Sequence, residues 1–347
     1  MAPSNPDPEV SVLVVSHDSA ALATRALDHL AAQTWTAFEV VVVENGPGGA
    51  AWARAQAATR PFPVTVLEPG HNLGFAAGNN LAARHARGRW LALLNPDAFP
   101  EPGWLAALMA AARRFPSGTA FGSVQVDAAD PARLDGIGDC WCPAGLAWRG
   151  GYKGDRATLA PATDLGVFGP CAAAALWART DFEALGGFED RFFCYGEDVD
   201  LALRHRLRGG CCVTVAAAIV RHLGSGTTSR HGAFGIYHDR RNMLWVFTRT
   251  TPTAWLLPLL PLHALGHLAM LARAARHGAA GAAWRGLRDG LAGLWGPTGV
   301  LAQRRAIQRT RRVPLGTLAR ALTWNPARLL TRAPKHWPPA SEGTAHD

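Results

Sequence analysis

Lysine is almost missing from this sequence: of 35 basic residues only Lys153 and Lys335 are lysines. With 37 glycines and 24 prolines, that bias reads as the imprint of a GC-rich genome and excludes no function. The six cysteines, Cys140, Cys142, Cys171, Cys194, Cys211 and Cys212, form no Cys-x-x-Cys pair and no disulfide-rich spacing. The opening residues, MAPSNPDPEV, carry neither the basic nor the apolar region of a signal peptide, so the expectation is a protein of the reducing cytoplasm. Glycine is absent where two large classes would need it. The first apolar run ends in Ser16-His17-Asp18-Ser19, with no glycine before Gly46. A dinucleotide-binding oxidoreductase needs Gly-x-Gly-x-x-Gly there, so that a helix N-terminus can meet a pyrophosphate. No Gly-x-x-x-x-Gly-Lys-Ser/Thr occurs either, which removes the P-loop NTPases.

Acid is scarce in one region only. Residues 1–269 carry 22 Lys/Arg and 23 Asp/Glu, whereas residues 270–335 carry 13 Lys/Arg and a single acid, Asp289. The overall charge of +9 therefore belongs to a C-terminal appendage on a nearly neutral body. A patch of this kind points to an anionic surface, phospholipid or nucleic acid.

What is present in the body is alternation. Residues 10–15, 38–43, 64–67, 90–94 and 119–126 read as strands, the first two as buried β-branched runs. Residues 22–33, 50–59, 75–86 and 102–115 read as helices between them. The pattern predicts one open, mostly parallel sheet with helices on both faces. Such sheets bind ligands beyond the carboxyl ends of their strands. Those positions hold Ser16-His17-Asp18, Glu44-Asn45, Glu68 and Asn95-Pro96-Asp97. Polar residues end many buried strands and cap the next helix. A carboxylate at each of the four is harder to assign to capping alone.

The most specific stretches are Asn72-Leu-Gly-Phe-Ala-Ala-Gly-Asn-Asn80, then Leu93-Leu-Asn-Pro-Asp97, then Gly186-Gly-Phe-Glu-Asp-Arg-Phe-Phe-Cys-Tyr-Gly-Glu-Asp-Val-Asp-Leu201, then Arg221-His222-Leu-Gly-Ser-Gly226. In these residues, and in their order, the sequence resembles the family 2 glycosyltransferases, within them the rhamnosyltransferase-like branch. The resemblance implies a GT-A-like fold and transfer of a sugar, with rhamnose as the candidate, from a nucleotide-diphosphate donor to a hydroxyl of a glycan or lipid-linked acceptor in cell-surface polysaccharide synthesis. It makes Asp198 the general base and Glu197 a residue that binds or orients the acceptor. It places the nucleotide near Ser16, His17, Glu44, Asn72, Gly78, Asn79, Asn95 and Asp97. A carboxylate at Glu44 can accept from the imide N–H that uracil and thymine share, so UDP- and dTDP-linked donors both stay open. The family often has Asp-x-Asp where this chain has Asn95-Pro-Asp97, which leaves Asp97 as the first metal ligand and His222 as its partner for Mg²⁺ or Mn²⁺. Acids do favour the first turn of a helix. Capping explains one of Glu197, Asp198 and Asp200, not all three.

The C-terminal third is of another kind. Residues 250–272 are uncharged, nominally long enough for the roughly 20 residues that cross a bilayer. Pro252, Pro258, Pro261, His263 and His267 make a poor spanning helix, and a span would export the basic segment against the positive-inside tendency. Interfacial attachment to an anionic membrane is the expectation, peripheral on the inner face of the cell membrane. The expected division is a flexible tail at 1–9, a GT-A-like domain at 10–230, a helical membrane-associating segment at 231–335 and a flexible tail at 336–347. Two rivals remain at this point, a basic nucleic-acid-binding protein and a non-catalytic scaffold on the same fold. The first lacks any nucleic-acid motif.

Overall fold

The structure, a computed structural model, describes residues 7–224 and 232–339. Outside these described residues lie most of the expected N-terminal tail, the end of the C-terminal tail, and residues 225–231, which hold Ser225, Gly226 and the expected domain boundary.

The chain opens with β1 (Val10–Ser16), α1 (Ala20–Ala31), β2 (Phe38–Glu44), α2 (Ala50–Thr59), β3 (Val64–Leu67), α3 (Gly74–His85) and β4 (Trp90–Leu94). β1 pairs in parallel with β2 and β4, and β2 with β3. Side chains alternate between the faces of a strand. Val10, Val12, Val14, Val40 and Val42 meet Leu27 and Leu30 of α1 and Ala53 of α2. Leu13, Val41 and Val43 meet Ala76 and Ala82 of α3 on the other side. Helices cover both faces, as the alternation of the sequence predicts.

The next segment holds β5 (Ala98–Pro100), α4 (Trp104–Arg114), β6 (Thr119–Asp127), β7 (Leu134–Gly136), β8 (Asp139–Cys142), β9 (Leu146–Arg149), α5 (Arg156–Leu159) and β10 (Leu165–Val167). It is followed by β11 (Ala174–Ala178), α6 (Arg179–Ala184), α7 (Glu197–Leu207) and β12 (Cys211–His222). With β13 (His336–Trp337), the sheet runs β13-β10-β12-β6-β11-β4-β1-β2-β3. β11 is antiparallel to both β4 and β6, while β12 runs parallel to β6. The start of β11 therefore lies beside the end of β4, where the Asn95 N–H donates to the Ala173 carbonyl at 2.9 Å.

The basic helical region is present as α8 (Ala233–Thr250), α9 (Thr253–Arg276), α10 (Ala280–Ala292), α11 (Val300–Arg309), α12 (Leu315–Ala321) and α13 (Arg328–Thr331). Its first helix is core. Met243, Trp245, Val246 and Phe247 of α8 pack with Phe192, Val199, Leu203 and Leu207 around α7, and with Leu294, Val300 and Ile307. Asp200, fully buried, takes Arg204 at 2.7 Å and Arg249 of α8 at 3.2 Å, and Arg249 also reaches Glu189 at 3.0 Å. The third acid of the Glu197-Asp198-Asp200 set is thus a structural anchor. The terminal tail begins later than expected: residues 336 and 337 pair with β10, and the guanidinium of Arg206 lies over the Trp337 ring at 5.3 Å.

α9 docks along one edge. His263 Nδ1 donates to the Ala144 carbonyl at 2.9 Å in the β8–β9 turn, which leaves His263 Nε2 to accept from His267 Nε2 at 3.1 Å. Burial, with Arg240 nearby, pushes His263 down to about 4; burial, then His263 and Arg240, pushes His267 down to about 3. Both pKa values are depressed, so the unfolded chain binds more protons below the ordinary histidine value of about 6.5. Stability from this pair is fully present above that value and is lost as pH falls through the folded values. Thermal melts should show a lower Tm at pH 5 than at pH 7, and His267→Gln should flatten that difference. An unchanged slope in the variant would remove the pair as its cause.

Candidate active site

The strand ends converge on a cavity of about 530 Å³ at the carboxyl edge of the sheet. His17 and Asp18 come from the end of β1, Asn45 from β2, Asn95-Pro96-Asp97 from β4 and His222 from β12. Asn72 and Gly74 enter from the start of α3, and Glu197 and Asp198 from the first turn of α7.

One corner is a chain of charges. His222 Nε2 lies 3.2 Å from Asp97 Oδ1, and His222 Nδ1 lies 2.7 Å from Asp135 Oδ2. Asp135 is in turn paired with Arg149. Both His222 and Asp97 are buried. Burial works against an imidazolium, yet the bonds to Asp135 and Asp97 outweigh it and hold the His222 pKa above its ordinary value. With Asp135 fixing Nδ1–H, the Nε2 lone pair of the neutral ring points at a carboxylate oxygen. That contact repels unless a proton or a cation lies between them. A carboxylate behind the histidine is the usual outer support of a metal-binding imidazole. Asn95 Oδ1 is buried beside this corner with no hydrogen-bond partner among the described residues. The oxygen and nitrogen donors of Asp97 and His222 fit Mg²⁺ or Mn²⁺.

The opposite wall holds Asp198. Its carboxylate accepts from the Val199 N–H at 2.8 Å and the Ala172 N–H at 3.4 Å. Donor atoms of Asp139, Cys171 and Asp198 lie within 4.8 Å of one another. Burial first, then the neighbouring carboxylates, pushes the Cys171 thiol up to about 12, so it stays protonated. Arg149, which also lines the cavity and pairs with Asp135, has its pKa raised: burial opposes the rise, and the charges of Asp135, Asp139 and Asp198 favour it. Phe75, Phe193, Tyr195 and Phe234 complete an aromatic side.

Of the residues singled out in the sequence, His17, Asn72, Asn95, Asp97, Glu197, Asp198 and His222 line this one cavity. Five do not reach its wall: Glu68 pairs with Arg54 at the surface, and four more turn away. Ser16 is fully buried, its hydroxyl 3.1 Å from that of Ser19. The Glu44 carboxylate accepts from the Gly46 N–H at 2.8 Å. Gly78 packs under Val15, where an added Cβ would stand 2.8 Å from a methyl. The Asn79 side chain donates to the Phe75 carbonyl at 2.9 Å, one turn back in its own helix. Asp135, Arg149 and Cys171 were missed, since nothing in the linear pattern marks the short strands and turns that bring them in.

An open, mostly parallel α/β sheet of this order, with a cavity at its carboxyl edge, is a GT-A-like fold. The profile of Glycosyl transferase family 2 matches residues 11–140. The chain is 29% identical over 248 residues to the N-acetylglucosaminyl-diphospho-decaprenol L-rhamnosyltransferase of Mycobacterium tuberculosis, covering 64% of this chain and 78% of that one. It is 28% identical over 214 residues to the galactofuranosyltransferase GlfT1 of the same organism, covering 60% and 68%. Among solved structures it is similar to GalNAc-T7 with UDP, GalNAc and Mn²⁺, with a TM-score of 0.56 at 14% identity, over 71% of this chain and 48% of that one. It thus spans about half the length of that protein, and the likeness is one of fold. Residues 11–140 thus carry a family 2 glycosyltransferase domain, and the chain, similar to a rhamnosyltransferase and a galactofuranosyltransferase, is a glycosyltransferase.

Proposed function

We propose that the chain is an inverting, divalent-metal-dependent transferase that moves a sugar, rhamnose first, from a dTDP- or UDP-linked donor to a hydroxyl of a lipid-linked glycan. The observation that carries this reading is the pairing, within one cavity, of Asp97 and His222 at 3.2 Å with Asp198 on the facing wall. Asp198 takes the proton of the acceptor hydroxyl while its oxygen attacks the anomeric carbon, the sugar–phosphate bond breaks, and the nucleoside diphosphate leaves with the bonding pair. One displacement inverts the anomeric centre and needs no second, nucleophilic carboxylate, unlike a retaining glycosidase. Asp97 and His222 would hold the cation, with Asp135 fixing the imidazole. Bound there, the cation supplies charge stabilisation for the departing diphosphate. Glu197 orients the acceptor, and His17, Asn72 and Asn95 meet the nucleotide end. The rhamnosyltransferase relative, whose name specifies a diphospho-decaprenol acceptor, supports the lipid-linked choice. A nucleotide-release screen across dTDP-, UDP- and GDP-sugars with Mg²⁺ or Mn²⁺ tests the reading. Release from dTDP-rhamnose that depends on acceptor is expected; release from none of the donors would sink it.

α9 supports a place of work at a membrane surface. It has 24 residues, and its most apolar 18-residue window has a mean hydropathy of 1.5, by length and composition enough to cross a bilayer. Its His263, His267 and Ala274 edge is buried against the body, while Leu257 is 74% and Leu268 61% exposed. Trp284, Trp295 and Trp324 are exposed nearby, among the arginines of residues 270–335. One edge on protein and one bare fits a helix lying in the interface rather than across it. This supports the reading that the enzyme works on the cytoplasmic face of an anionic membrane. Each cation near such a surface contributes about 1 kcal/mol, decaying within a Debye length of roughly 8 Å, so high salt should release only part of the protein. Because α8 is core, truncation at 230 is no test. The double variant Leu257→Glu/Leu268→Glu, at exposed positions, should fold and lose the salt-resistant share of binding to anionic vesicles. Indifference of the parent protein to vesicles, with tight binding to RNA or DNA, would bring the nucleic-acid reading forward.

A further inference from the structure

The turn that leads into α7 is held in an unfavourable backbone shape. Phe193 has φ 65°, Tyr195 φ 69° and Gly196 φ 88°, so three of four consecutive residues lie in the left-handed region. Only glycine is at ease there, and bulky residues are rare. Such a shape persists only where the surroundings over-determine it. Two elements do so. From the body, the Phe193 carbonyl accepts the N–H groups of Phe75 at 2.6 Å and Ala76 at 3.1 Å, at the start of α3. Gly74 makes room for this approach, since a Cβ there would stand 2.6 Å from the Phe193 oxygen. From the C-terminal region, Asn242 of α8 is fully buried, and its Nδ2 lies 3.0, 2.8 and 2.7 Å from the carbonyls of Phe192, Cys194 and Tyr195. The Asn242 Oδ1 accepts from Arg241 Nε at 2.9 Å, which fixes which way the amide faces. Arg241 Nη2 donates to the carbonyls of Arg191 at 2.8 Å and Phe192 at 2.9 Å. One amide and one guanidinium thus gather the carbonyls of a turn whose Phe193 and Tyr195 line the cavity and whose end starts the helix bearing Asp198.

We propose that Asn242 is a positioning residue for glycosyl transfer: it clamps residues 192–196 so that the aromatic wall and Asp198 stand in register with the bound donor. This rests on the reading of Asp198 as the base. The clamp places a residue of the basic C-terminal region inside the catalytic scaffold, without contact to substrate. Among the described residues, the ends of β1, β2 and β4, which supply His17 and Asn95 to the nucleotide end, make no hydrogen bond to Asn242.

The test uses the full-length protein with Asn242→Ala, and with Asn242→Ser, which retains one donor. Three quantities are read: binding of dTDP and UDP with Mn²⁺ by calorimetry, kcat with the nucleotide sugar that the parent turns over, and hydrogen exchange across the sheet. A misplaced catalytic group costs about 10²-fold, so kcat of Asn242→Ala should fall by about that factor while nucleotide affinity stays within about threefold. Amides of residues 193–198 should exchange about tenfold faster with β1 and β2 unchanged, and Asn242→Ser should fall between. Normal kcat and normal exchange in a soluble variant would overturn the proposal. So would equal losses of kcat and nucleotide affinity with faster exchange throughout the sheet, or failure of both variants to fold, since each makes the residue purely structural. If the parent itself releases no nucleotide from any donor, the proposed function fails, while the exchange measurement still decides the role of Asn242.

Discussion

Asp198→Asn is expected to abolish most turnover, with kcat lower by about 10²–10⁴, the usual contribution of a general base. Nucleotide affinity should hardly move. The side chain keeps its volume, and the Val199 N–H still finds an acceptor in the amide oxygen, while the longer bond from the Ala172 N–H to the other oxygen is lost. Such a split, kcat lost and donor binding kept, marks an interaction made in the transition state rather than in the ground state. Single-turnover assays under saturating donor would check it. Near-normal turnover by a folded Asp198→Asn protein would end the assignment and move attention to Glu197 in the same first turn.

The second large effect concerns the cation. Asp97→Ala and His222→Ala should each weaken nucleotide binding strongly with Mn²⁺ present and little in EDTA. A milder companion is Asp135→Asn. It leaves both ligands in place but loosens the imidazole that Asp135 holds at 2.7 Å, and outer-shell losses of this kind cost about 10–100-fold in metal affinity or activity. The graded order, ligand worse than support, is what separates a metal corner from a buried ion-pair chain. Equal losses with and without Mn²⁺ would make Asp97 structural, and full activity in EDTA would remove the cation from the chemistry. A stability control belongs beside these assays, because removing one partner of a buried charge pair commonly costs about 3–5 kcal/mol by itself.

Much of this site was legible before any fold was built, and for one reason. In a parallel sheet covered on both faces, apolar runs are strands and the residues just beyond them gather at one edge. His17, Asn95 and Asp97 are found by that rule, because each follows an apolar run, whereas His222 is found through the Arg221-His222 motif. The same rule overreaches at Ser16 and Glu44, whose side chains turn back into the protein at the very ends of β1 and β2. The Gly78 and Asn79 positions carry a motif, yet one packs against Val15 and the other bonds within α3.

The expected division at 230 was a weaker guide. Charge counting leaves residues 233–250 with the neutral body, and hydrophobic contact does the same. α8 bears Arg240, Arg241 and Arg249, and still buries Trp245, Val246 and Phe247 against α7.

The sequence by itself determined the strand–helix alternation, the likeness to family 2 glycosyltransferases and most of the acid and imidazole groups that meet at the cavity, because these depend on residue type and on spacing along the chain. Only the tertiary structure decided that β11 reverses direction between β4 and β6, that Asp135 and Arg149 stand behind His222, and that Asn242 grips the turn before Asp198. Those relations join residues 14, 47 or 87 positions apart through buried hydrogen bonds and ion pairs. No local periodicity encodes such pairs, since what brings them together is closure of a core drawn from the whole chain.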